Sequence, residues 1–368
     1  MKVMTIFGTR PEIIRLSQII KQLDKFCEHT LVHTGQNYDP NLSDIFFRDL
    51  DLRAPNIHLG IQATSFSDQA GQIIARCGEL FAAEKPDRVL ILGDTNSGLA
   101  AIPAARMRIP VYHLEAGNRC YDDRVPEEIN RRIIDHCSNV LMPYTHRSKD
   151  NLVREGIERQ RIFVIGNPIY EVLNAYADQV EASDVLSRLK VEPGKFFLVT
   201  LHRAENVDDA TRLEKLLRGL ALVADTYAEP MVVSLHPRTA DKLARFGLDP
   251  QSKRVRLLSP MGLFDFVKLE KHAHCVLSDS GTVQEECCIF GVPNVTVRDV
   301  TERAETIEVG SNVLSGAEPE MILQAVRVAL GTSCVWNPPA EYVTSDVART
   351  VVKIVLGYNN ATDAVGMV

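Results

Sequence analysis

The sequence predicts an α/β protein built from two doubly wound domains, each with its own parallel β-sheet. Short apolar runs that end in polar residues alternate with segments of helical periodicity, a pattern typical of parallel sheets. The pattern runs from residue 3 to about residue 165 and then restarts at residue 196. A chain of 368 residues is also long enough to form two domains.

The first series of apolar runs predicts strands at residues 3–7, 31–33, 89–92, 111–114, 140–142 and 163–165. Between the first two, Ile13, Leu16, Ile20 and Leu23 recur on one face of a helix. Pro11 suits the first turn of that helix, where its missing N–H removes no hydrogen bond. Residues 67–84 predict a second long helix.

The second series predicts strands at residues 196–200, 231–235, 255–258, 275–277 and 294–297. We therefore expect an N-terminal domain at residues 1–170 and a C-terminal domain at residues 171–350. Residues 351–368 are expected to form a C-terminal helix or tail that packs back on the N-terminal domain.

Composition excludes several classes of protein. Lys and Arg total 41 against 48 Asp and Glu, a net charge of −7, which disfavours nucleic acid and anionic membranes as partners. No run of 18 apolar residues predicts a membrane span, and the N-terminal apolar stretch is too short for a signal peptide. The eight cysteines form no Cys-x-x-Cys pair, so we expect a reduced, cytoplasmic protein.

Several motifs of known chemistry are absent from the sequence. There is no Gly-x-Gly-x-x-Gly dinucleotide fingerprint, no phosphate-binding P-loop and no Gly-x-Ser-x-Gly nucleophile elbow. No set of His, Cys and Asp has metal-ligand spacing, so no metal is expected. The sequence therefore gives no reason to expect a nicotinamide cofactor.

Polar residues follow the predicted strands directly. In open parallel sheets, ligands bind at the carboxyl ends of the strands. The following residues are expected to face one cleft that lies between the domains: Arg10, Asp94, Glu115, His202, His236, Arg238 and Ser280.

Residues 279–282, Asp-Ser-Gly-Thr, join a predicted strand to a predicted helix. Backbone N–H groups at such a helix start bind anions, and the Ser280 and Thr282 hydroxyls add donors. A carboxylate in the next turn, such as Glu286, could hold a ribose diol. An ordinary helix cap with acidic residues behind it is an equally good interpretation of this segment alone.

Three carboxylates, Asp94, Glu115 and Glu127, are expected to converge. Glu127 follows Pro126 in a segment that taken alone is better explained as helix capping. Converging carboxylates are costly unless they titrate or meet a ligand, and His202 adds an acid or base near neutrality.

Arginines also lie at predicted strand and helix ends. In an acidic protein, such a group indicates a phosphate or carboxylate ligand. The arginines in these positions are Arg10, Arg15, Arg238 and Arg303.

Ten ordered motifs carry a resemblance to a known family. They occupy residues 8–12, 33–36, 93–97, 113–117, 126–131, 166–167, 202–206, 236–237, 279–286 and 298–303. Over residues 3 to 315, the chain resembles the non-hydrolysing UDP-N-acetylglucosamine 2-epimerases. The resemblance implies two Rossmann-like domains similar to those of GT-B glycosyltransferases. It also implies a cytoplasmic homodimer that inverts C2 of a UDP-N-acetylhexosamine without a cofactor.

The resemblance implies roles for particular residues. Asp94, Glu115, Glu127 and His202 would be catalytic, Phe266 would contact uracil and Glu286 would contact the ribose. The full set that would bind the sugar or UDP is Arg10, Arg15, Arg131, His236, Arg238, Phe266, Ser280, Gly281, Thr282, Glu286 and Arg303.

Residues 115–128 are most similar to the branch of the family that forms UDP-N-acetyl-L-fucosamine, which predicts a role in surface polysaccharide synthesis. The chain departs from the ordinary UDP-N-acetylglucosamine enzymes at Arg15, Asn37, Thr282 and Ala304, where they have Lys, His, Gly and Pro. Four alternatives are an epimerase for UDP-N-acetylglucosamine and UDP-N-acetylmannosamine, a hydrolysing 2-epimerase, a GT-B glycosyltransferase and a non-catalytic nucleotide-sugar sensor.

Overall fold

The computed structural model describes residues 1–35, 46–332 and 335–358. Asn37, one of the departures noted above, lies outside the described residues. The chain divides into two compact units. Unit 1 is Met1–Leu173 together with the chain from Ala340 onward, and unit 2 is Asn174–Pro339.

The described strands form two six-stranded sheets, and every pairing in both sheets is parallel. The strands of unit 1 are β1 Lys2–Phe7, β2 Glu28–His33, β3 Ile57–His58, β4 Arg88–Leu92, β5 Val111–Leu114 and β6 Val140–Met142. The strands of unit 2 are β7 Phe197–Thr200, β8 Met231–Ser234, β9 Val255–Leu258, β10 Cys275–Ser278, β11 Asn294–Thr296 and β12 Asn312–Leu314.

Helices follow most of the strands, as parallel connections require. They include α1 Arg10–Phe26, α2 Phe66–Glu84, α3 Ala101–Arg106, α4 Pro126–Cys137, α5 His146–Arg154, α6 Pro168–Ala175, α7 Ala177–Ala182, α8 Val185–Leu189, α9 Ala204–Val207, α10 Ala210–Tyr227, α11 Pro237–Phe246, α12 Leu263–His272, α13 Gly281–Phe290, α14 Ala304–Glu308, α15 Pro319–Gly331 and α16 Val347–Gly357. Short 3₁₀ helices cover Asn96–Ala100, Arg159–Arg161 and Ala340–Val343. The predicted α/β fold of parallel sheets is confirmed.

The central strands are buried on both faces, which explains their unbroken apolar runs. All five residues of β4 are buried, and β1 is buried from Val3 to Phe7. When helices cover both faces of a parallel sheet, the side chains on both faces of each strand are buried. Such strands are continuously apolar and do not alternate between apolar and polar residues. In unit 1, the apolar face of α2 contributes Ile73 and Phe81 to a core that includes Met4 and Ile6 of β1.

The strand order fixes where a ligand can bind in each unit. The order in unit 1 is β3-β2-β1-β4-β5-β6, so the chain reverses its direction of winding between β1 and β4. The order in unit 2 is β12-β11-β10-β7-β8-β9, and its reversal lies between β7 and β10. Such a reversal opens a crevice at the carboxyl ends of the two strands. We call these two places the carboxyl edge of unit 1 and the carboxyl edge of unit 2.

One predicted strand is absent from the structure, and two short strands were not predicted. Residues 163–165 do not form a strand, although the N–H of Phe163 donates to the carbonyl of Leu141 and the N–H of Ile165 donates to that of Pro143. The segment is therefore extended beside β6 without a continuous ladder. The edge strands β3 and β12 were not predicted, since two or three residues are too few to show a period.

The end of the described chain returns to unit 1. α16 packs against α1, and its Val355 carbonyl accepts a hydrogen bond from Arg88 of β4. The Tyr112 hydroxyl of β5 donates to the carbonyl of Tyr358 at 2.7 Å. Residues close to both ends of the chain therefore support one sheet.

Unit 1 is closely packed at Gly117, which lies three residues beyond β5. Its φ is +79°, and a Cβ there would lie 2.2 Å from the Ser148 carbonyl oxygen. Gly156 has a similar φ of +89° but no atom within 4 Å of such a Cβ. We expect Gly117→Ala to lower the free energy of unfolding by about 2–5 kcal/mol, since strain and overpacking add, and Gly156→Ala by about 1–2 kcal/mol.

Denaturation of both variants in urea gives these values. Equal losses for the two glycines would contradict the packing argument, because only the left-handed backbone would then matter.

Candidate active site

Glu115 is held in a buried network at the carboxyl edge of unit 1. It follows β5 directly and has a φ of 65°, a left-handed conformation that is uncommon for a residue with a side chain. One oxygen, Oε2, accepts from the Arg15 guanidinium and lies 3.5 Å from the Tyr144 hydroxyl. The other, Oε1, accepts from Asn118 Nδ2 at 3.1 Å. The Arg15 and Glu115 side chains are 5% and 7% exposed, so the pair is almost completely shielded from water.

Asp94 is held by a second arginine. It lies two residues beyond β4, and its Oδ2 accepts from Arg131 Nε at 2.8 Å. Asn130 supports the same turn, since its Nδ2 donates to the Asp94 carbonyl at 3.0 Å. About a quarter of the Asp94 side chain remains exposed, whereas the Arg131 side chain is buried. The carboxylate of Asp94 is therefore oriented by α4 but still accessible.

The two carboxylates lie at neighbouring strand ends. β4 and β5 are paired, and the residue before Asp94 is Gly93. A Cβ at Gly93 would lie 3.5 Å from Oε2 of Glu115. Asp94 and Glu115 thus follow neighbouring strands of unit 1. Glu127, the third predicted carboxylate, is half-buried in the first turn of α4, the helix that also carries Arg131.

Glu128, next to Glu127, fixes the loop before α4. Its carboxylate accepts from Arg131 Nη1 at 2.7 Å and from the backbone N–H groups of Cys120 and Tyr121 at 3.1 Å each. Burial would raise the pKa of Glu128, but these donors and the Arg131 charge hold it below 4.5. An ionised Glu128 thus joins the 118–125 loop to the arginine that holds Asp94.

Glu12 joins the turns after β1 and β4. Its Oε2 accepts from the N–H of Thr9 at 2.8 Å, and its Oε1 accepts from the Thr95 hydroxyl at 3.1 Å. Burial raises the pKa of Glu12 to about 7 despite these hydrogen bonds. The turn after β1 also carries Arg10, which is half-buried with its guanidinium 5.6 Å from the centre of the Phe46 ring.

The carboxyl edge of unit 2 is organised around Asp279. This buried carboxylate follows β10 and accepts from the N–H groups of His202 and Arg203 at 3.0 Å and from Asn206 Nδ2 at 3.1 Å. Nδ1 of His202 lies 3.2 Å from Asp279 Oδ1. Burial would raise the pKa of Asp279, but the His202 imidazole and the three donors hold it well below 3.8. The side chain of His202 is 33% exposed, so the ring can meet a ligand while Asp279 holds it.

His236 extends this edge. Its ring centre lies 5.6 Å from that of His202, and its Nδ1 accepts from the N–H of Arg238 as the cap of α11. The exposed guanidinium of Arg238 binds Asp208 rather than a buried group.

The start of α13 lies beside His202. Ser280 occupies the N-cap position without accepting a hydrogen bond from the helix. A Cβ at Gly281 would lie 2.9 Å from Oε1 of Glu302, so this turn packs closely against the Glu302 side chain. Thr282 follows in the first turn and is half-buried. Arg303 is buried behind it and binds Glu285 of the same helix.

Two further predicted ligand residues lie on the adjoining helices. Phe266 of α12 is partly buried and packs on the core cluster that includes Val283 and Cys287 of α13. Glu286 of α13 is 5% exposed.

Sequence reasoning missed the residues that hold the predicted ones in place. Asp279 was recognised only as part of an anion-binding turn, and Asn118 only as part of a loop. Asp279 is the first charged residue after the apolar run of β10, a signal that could have placed it beside His202. No sequence signal pairs Arg15 with Glu115, since 100 residues separate them.

Within the described ranges, no group of three or more His, Cys, Asp and Glu residues could hold a metal ion. In the same part of the chain, no helix has the length and apolar character needed to cross a membrane.

Comparison with known proteins identifies the family. The family model of UDP-N-acetylglucosamine 2-epimerase matches residues 21–356. The chain belongs to this family. The UDP-N-acetylglucosamine 2-epimerase of Methanocaldococcus jannaschii is 41% identical over 347 residues, covering 92% of this chain and 95% of that protein. The UDP-2,3-diacetamido-2,3-dideoxy-D-glucuronate 2-epimerase of Pseudomonas aeruginosa is 38% identical over 336 residues, covering 90% and 93%.

Solved structures confirm the predicted architecture. The crystal structure of the Methanocaldococcus jannaschii epimerase in complex with UDP-GlcNAc and UDP has a TM-score of 0.92 at 39% identity and covers 96% of this chain and 99% of that one. A glycosyltransferase involved in lipopolysaccharide biosynthesis shares the fold, with a TM-score of 0.61 at 12% identity. The chain is thus an enzyme of the UDP-sugar 2-epimerase family with a GT-B-like fold.

The ionised Asp279 carboxylate is expected to make the stability of the protein depend on pH in acid. Because its folded-state pKa lies below the unfolded value of 3.8, its contribution to stability is complete above pH 3.8 and is lost as the pH falls further. We expect Asp279→Asn to lower the free energy of unfolding by about 3 kcal/mol at neutral pH, since it leaves buried donors and His202 without their partner. The difference from the unsubstituted protein should shrink below pH 3.8.

Chemical denaturation at several pH values measures both effects. Asp241→Asn, at an exposed position of α11, is the matched control and should leave stability unchanged. A full difference persisting well below pH 3.8 would show that Asp279 does not act through its charge.

Proposed function

We propose that the protein inverts C2 of a UDP-N-acetylhexosamine by eliminating UDP and adding it back. The observation that carries this proposal is the pair of arginine-held carboxylates, Asp94 and Glu115, at neighbouring strand ends of unit 1. Carboxylates held by arginines at neighbouring strand ends suit proton abstraction, and membership of the epimerase family supplies the class of substrate.

The chemistry explains why carboxylates are needed. The C2 proton of an N-acetylhexosamine has no carbonyl group adjacent to it in the ring and is not acidic. In the proposed step a base removes this proton, the C1–O bond to UDP breaks, and the electron pair forms a C1=C2 double bond. UDP then adds back to C1 while an acid protonates C2 from the opposite face. Neither half of the cycle oxidises or reduces the sugar.

We assign the sugar chemistry to Asp94, Glu115 and Glu127. Asp94 accepts a hydrogen bond from Arg131 at Oδ2 and remains partly exposed, as a base requires. Both oxygens of Glu115 accept hydrogen bonds, Oε2 from Arg15 and Oε1 from Asn118. This favours either a fixed electrostatic role or a role as the acid that returns a proton to C2. The arginines Arg10 and Arg15 would position the diphosphate or the sugar, and Arg131 would position Asp94.

We assign recognition of UDP to the carboxyl edge of unit 2. The departing diphosphate gains charge as the C1–O bond breaks, and preorganised donors stabilise that charge. His202, held by Asp279, and the turn at Ser280, Gly281 and Thr282 are such donors.

The remaining predicted ligands fall into two groups. Phe266 would contact uracil and Glu286 would accept hydrogen bonds from the ribose. His236, Arg238 and Arg303 would contribute to the electrostatic field of the same edge.

For the substrate we propose conversion of UDP-N-acetyl-L-pneumosamine to UDP-N-acetyl-L-fucosamine, for surface polysaccharide synthesis. Support comes from residues 115–128, a segment that Glu128, Arg131 and Arg119 hold rigidly beside Asp94. A relative that acts on a diacetamido-glucuronate shows that the family accepts different sugars. The alternative is exchange between UDP-N-acetylglucosamine and UDP-N-acetylmannosamine.

Proton NMR in D₂O, with no cofactor added, tests the reaction and the sugar together. UDP-N-acetyl-L-pneumosamine and UDP-N-acetylglucosamine are supplied separately to the purified protein. We expect loss of the C2 proton signal of the pneumosamine nucleotide and appearance of a second UDP-sugar. Turnover of UDP-N-acetylglucosamine alone would select the alternative, and release of free sugar with UDP would indicate hydrolysis.

Substitution of the carboxylates tests their roles. We expect Asp94→Asn and Glu127→Gln each to reduce kcat by at least about 10²-fold while UDP affinity changes little, because proton transfer is lost and unit 2 is untouched. Steady-state kinetics and calorimetric titration with UDP measure the two properties.

Glu79→Gln, an exposed carboxylate on α2, is the control and should leave both properties unchanged. Near-normal turnover in Asp94→Asn or Glu127→Gln would remove that residue from the catalytic set.

A further inference from the structure

A buried histidine–aspartate pair lies behind the turns that carry Asp94 and Glu115. His113 is in β5 and Asp135 is in α4, and their side chains are 1% and 0% exposed. Nδ1 of His113 lies 2.8 Å from Oδ1 of Asp135. The proposed reaction gives neither residue of this pair a role.

The pair contacts the backbone of both turns. Nε2 of His113 lies 2.8 Å from the carbonyl oxygen of Gly93, the residue directly before Asp94. Oδ2 of Asp135 accepts a hydrogen bond from the N–H of Gly117, in the turn after β5, at 3.2 Å. The two glycines have left-handed backbone, with φ of +73° and +79°. The pair therefore connects the turn after β4 to the turn after β5 through side chains that water does not reach.

A second cation fixes the charge of Asp135. Nη2 of Arg119 lies 2.8 Å from Asp135 Oδ2, and the Arg119 side chain is itself buried. The same guanidinium binds Glu155, directly after α5, with hydrogen bonds of 2.8 and 2.6 Å. Burial would raise the pKa of Asp135, but the hydrogen bonds and charges of His113 and Arg119 hold it below 3.8. Asp135 is therefore a carboxylate, which accepts hydrogen bonds and donates none.

The two partners of His113 determine its protonation. The backbone carbonyl of Gly93 has no proton to give, so Nε2 is the donor of that hydrogen bond. Nδ1 also donates, because the Asp135 carboxylate only accepts. A ring that donates from both nitrogens is an imidazolium. Two cations, His113 and Arg119, then face two carboxylates, Asp135 and Glu155, and this balance offsets the cost of burying the charges.

We propose that His113, as an imidazolium, is a positioning residue for the two turns that carry Asp94 and Glu115. It holds the Gly93 carbonyl on one side and Asp135 on the other, so that the separation of the two turns is fixed. This inference rests on the proposed function, which assigns proton transfer to the two carboxylates. Proton transfer depends steeply on the placement of acid and base, since a displacement of about 1 Å costs up to about 100-fold in rate.

Substitution of His113 tests the positioning role. Phe keeps a planar ring and has no donor, so His113→Phe removes both contacts while it fills the space. UDP-N-acetyl-L-pneumosamine and UDP-N-acetylglucosamine are both supplied, and kcat is compared on the nucleotide that the unsubstituted protein converts. We expect His113→Phe to lower kcat by about 10- to 100-fold and to leave the affinity for UDP within about twofold, because unit 2 is untouched.

Tyr112→Phe is the matched control. Tyr112 precedes His113 on β5 and its hydroxyl donates to the Tyr358 carbonyl at 2.7 Å, so this variant also removes a hydrogen bond but touches neither turn. Both variants are assayed at a temperature at which circular dichroism shows them to be fully folded. We expect Tyr112→Phe to keep the kcat of the unsubstituted protein. An equal loss of kcat in both variants, or no loss in either, would overturn the proposal, because His113 would then act only on stability.

The same assay separates this inference from the proposed function. If the unsubstituted protein converts neither nucleotide, the proposed function is wrong, and this inference is wrong with it. If the unsubstituted protein and His113→Phe convert a nucleotide equally well, only the positioning role of His113 is wrong.

Neutron diffraction tests the charge of His113 without any substitution, which keeps the proposal falsifiable if His113→Phe does not fold. In crystals of the unsubstituted protein at neutral pH, we expect a hydrogen or deuterium atom on each ring nitrogen of His113 and none on the Asp135 carboxylate. A single protonated nitrogen on the ring would overturn the proposal.

Discussion

The cost of burying charge governs both carboxyl edges. A parallel sheet collects polar residues at the ends of its strands, where helices on both faces exclude water. An ion in such a place is stable only beside a partner. Arg15 therefore lies against Glu115, Arg131 against Asp94, and His202 against Asp279. These contacts restrict the side chains to single orientations, and the site acquires its order from the same energetic requirement.

The two units share a sheet topology but place different chemical groups at its carboxyl edge. Each reverses its winding beside its first strand, and each places a short polar turn at that reversal. In unit 1 the turn after β4 carries Asp94, whose partner Arg131 comes from the helix after β5. In unit 2 the turn after β10 carries Asp279, which is fully buried and holds His202 by its backbone and its ring. A carboxylate that stays accessible suits chemistry, and a carboxylate that is buried suits the placement of another group.

The sequence predicted the fold class and the strands with long apolar runs, since burial on both faces leaves a continuous signal. It did not predict β3 and β12, which are too short to show a period, and it predicted a strand at 163–165 where only an extended segment exists. Asp94, Glu115 and His202 were identified from their positions after strands. Their partners Arg131, Arg15 and Asp279 depend on contacts 37, 100 and 77 residues apart, which periodicity does not encode.

The return of α16 to α1 makes unit 1 discontinuous in the sequence, whereas unit 2 is one uninterrupted stretch. During synthesis on a ribosome, Asn174–Pro339 is complete before the last helix of unit 1 has been made. The hydrogen bond from Arg88 to the Val355 carbonyl and the one from Tyr112 to the Tyr358 carbonyl cannot form until these last residues have been made. The contact of α16 with α1 and these two hydrogen bonds therefore form only after residues 174–339 have been made, and that interval is when chaperones or aggregation would act on unit 1.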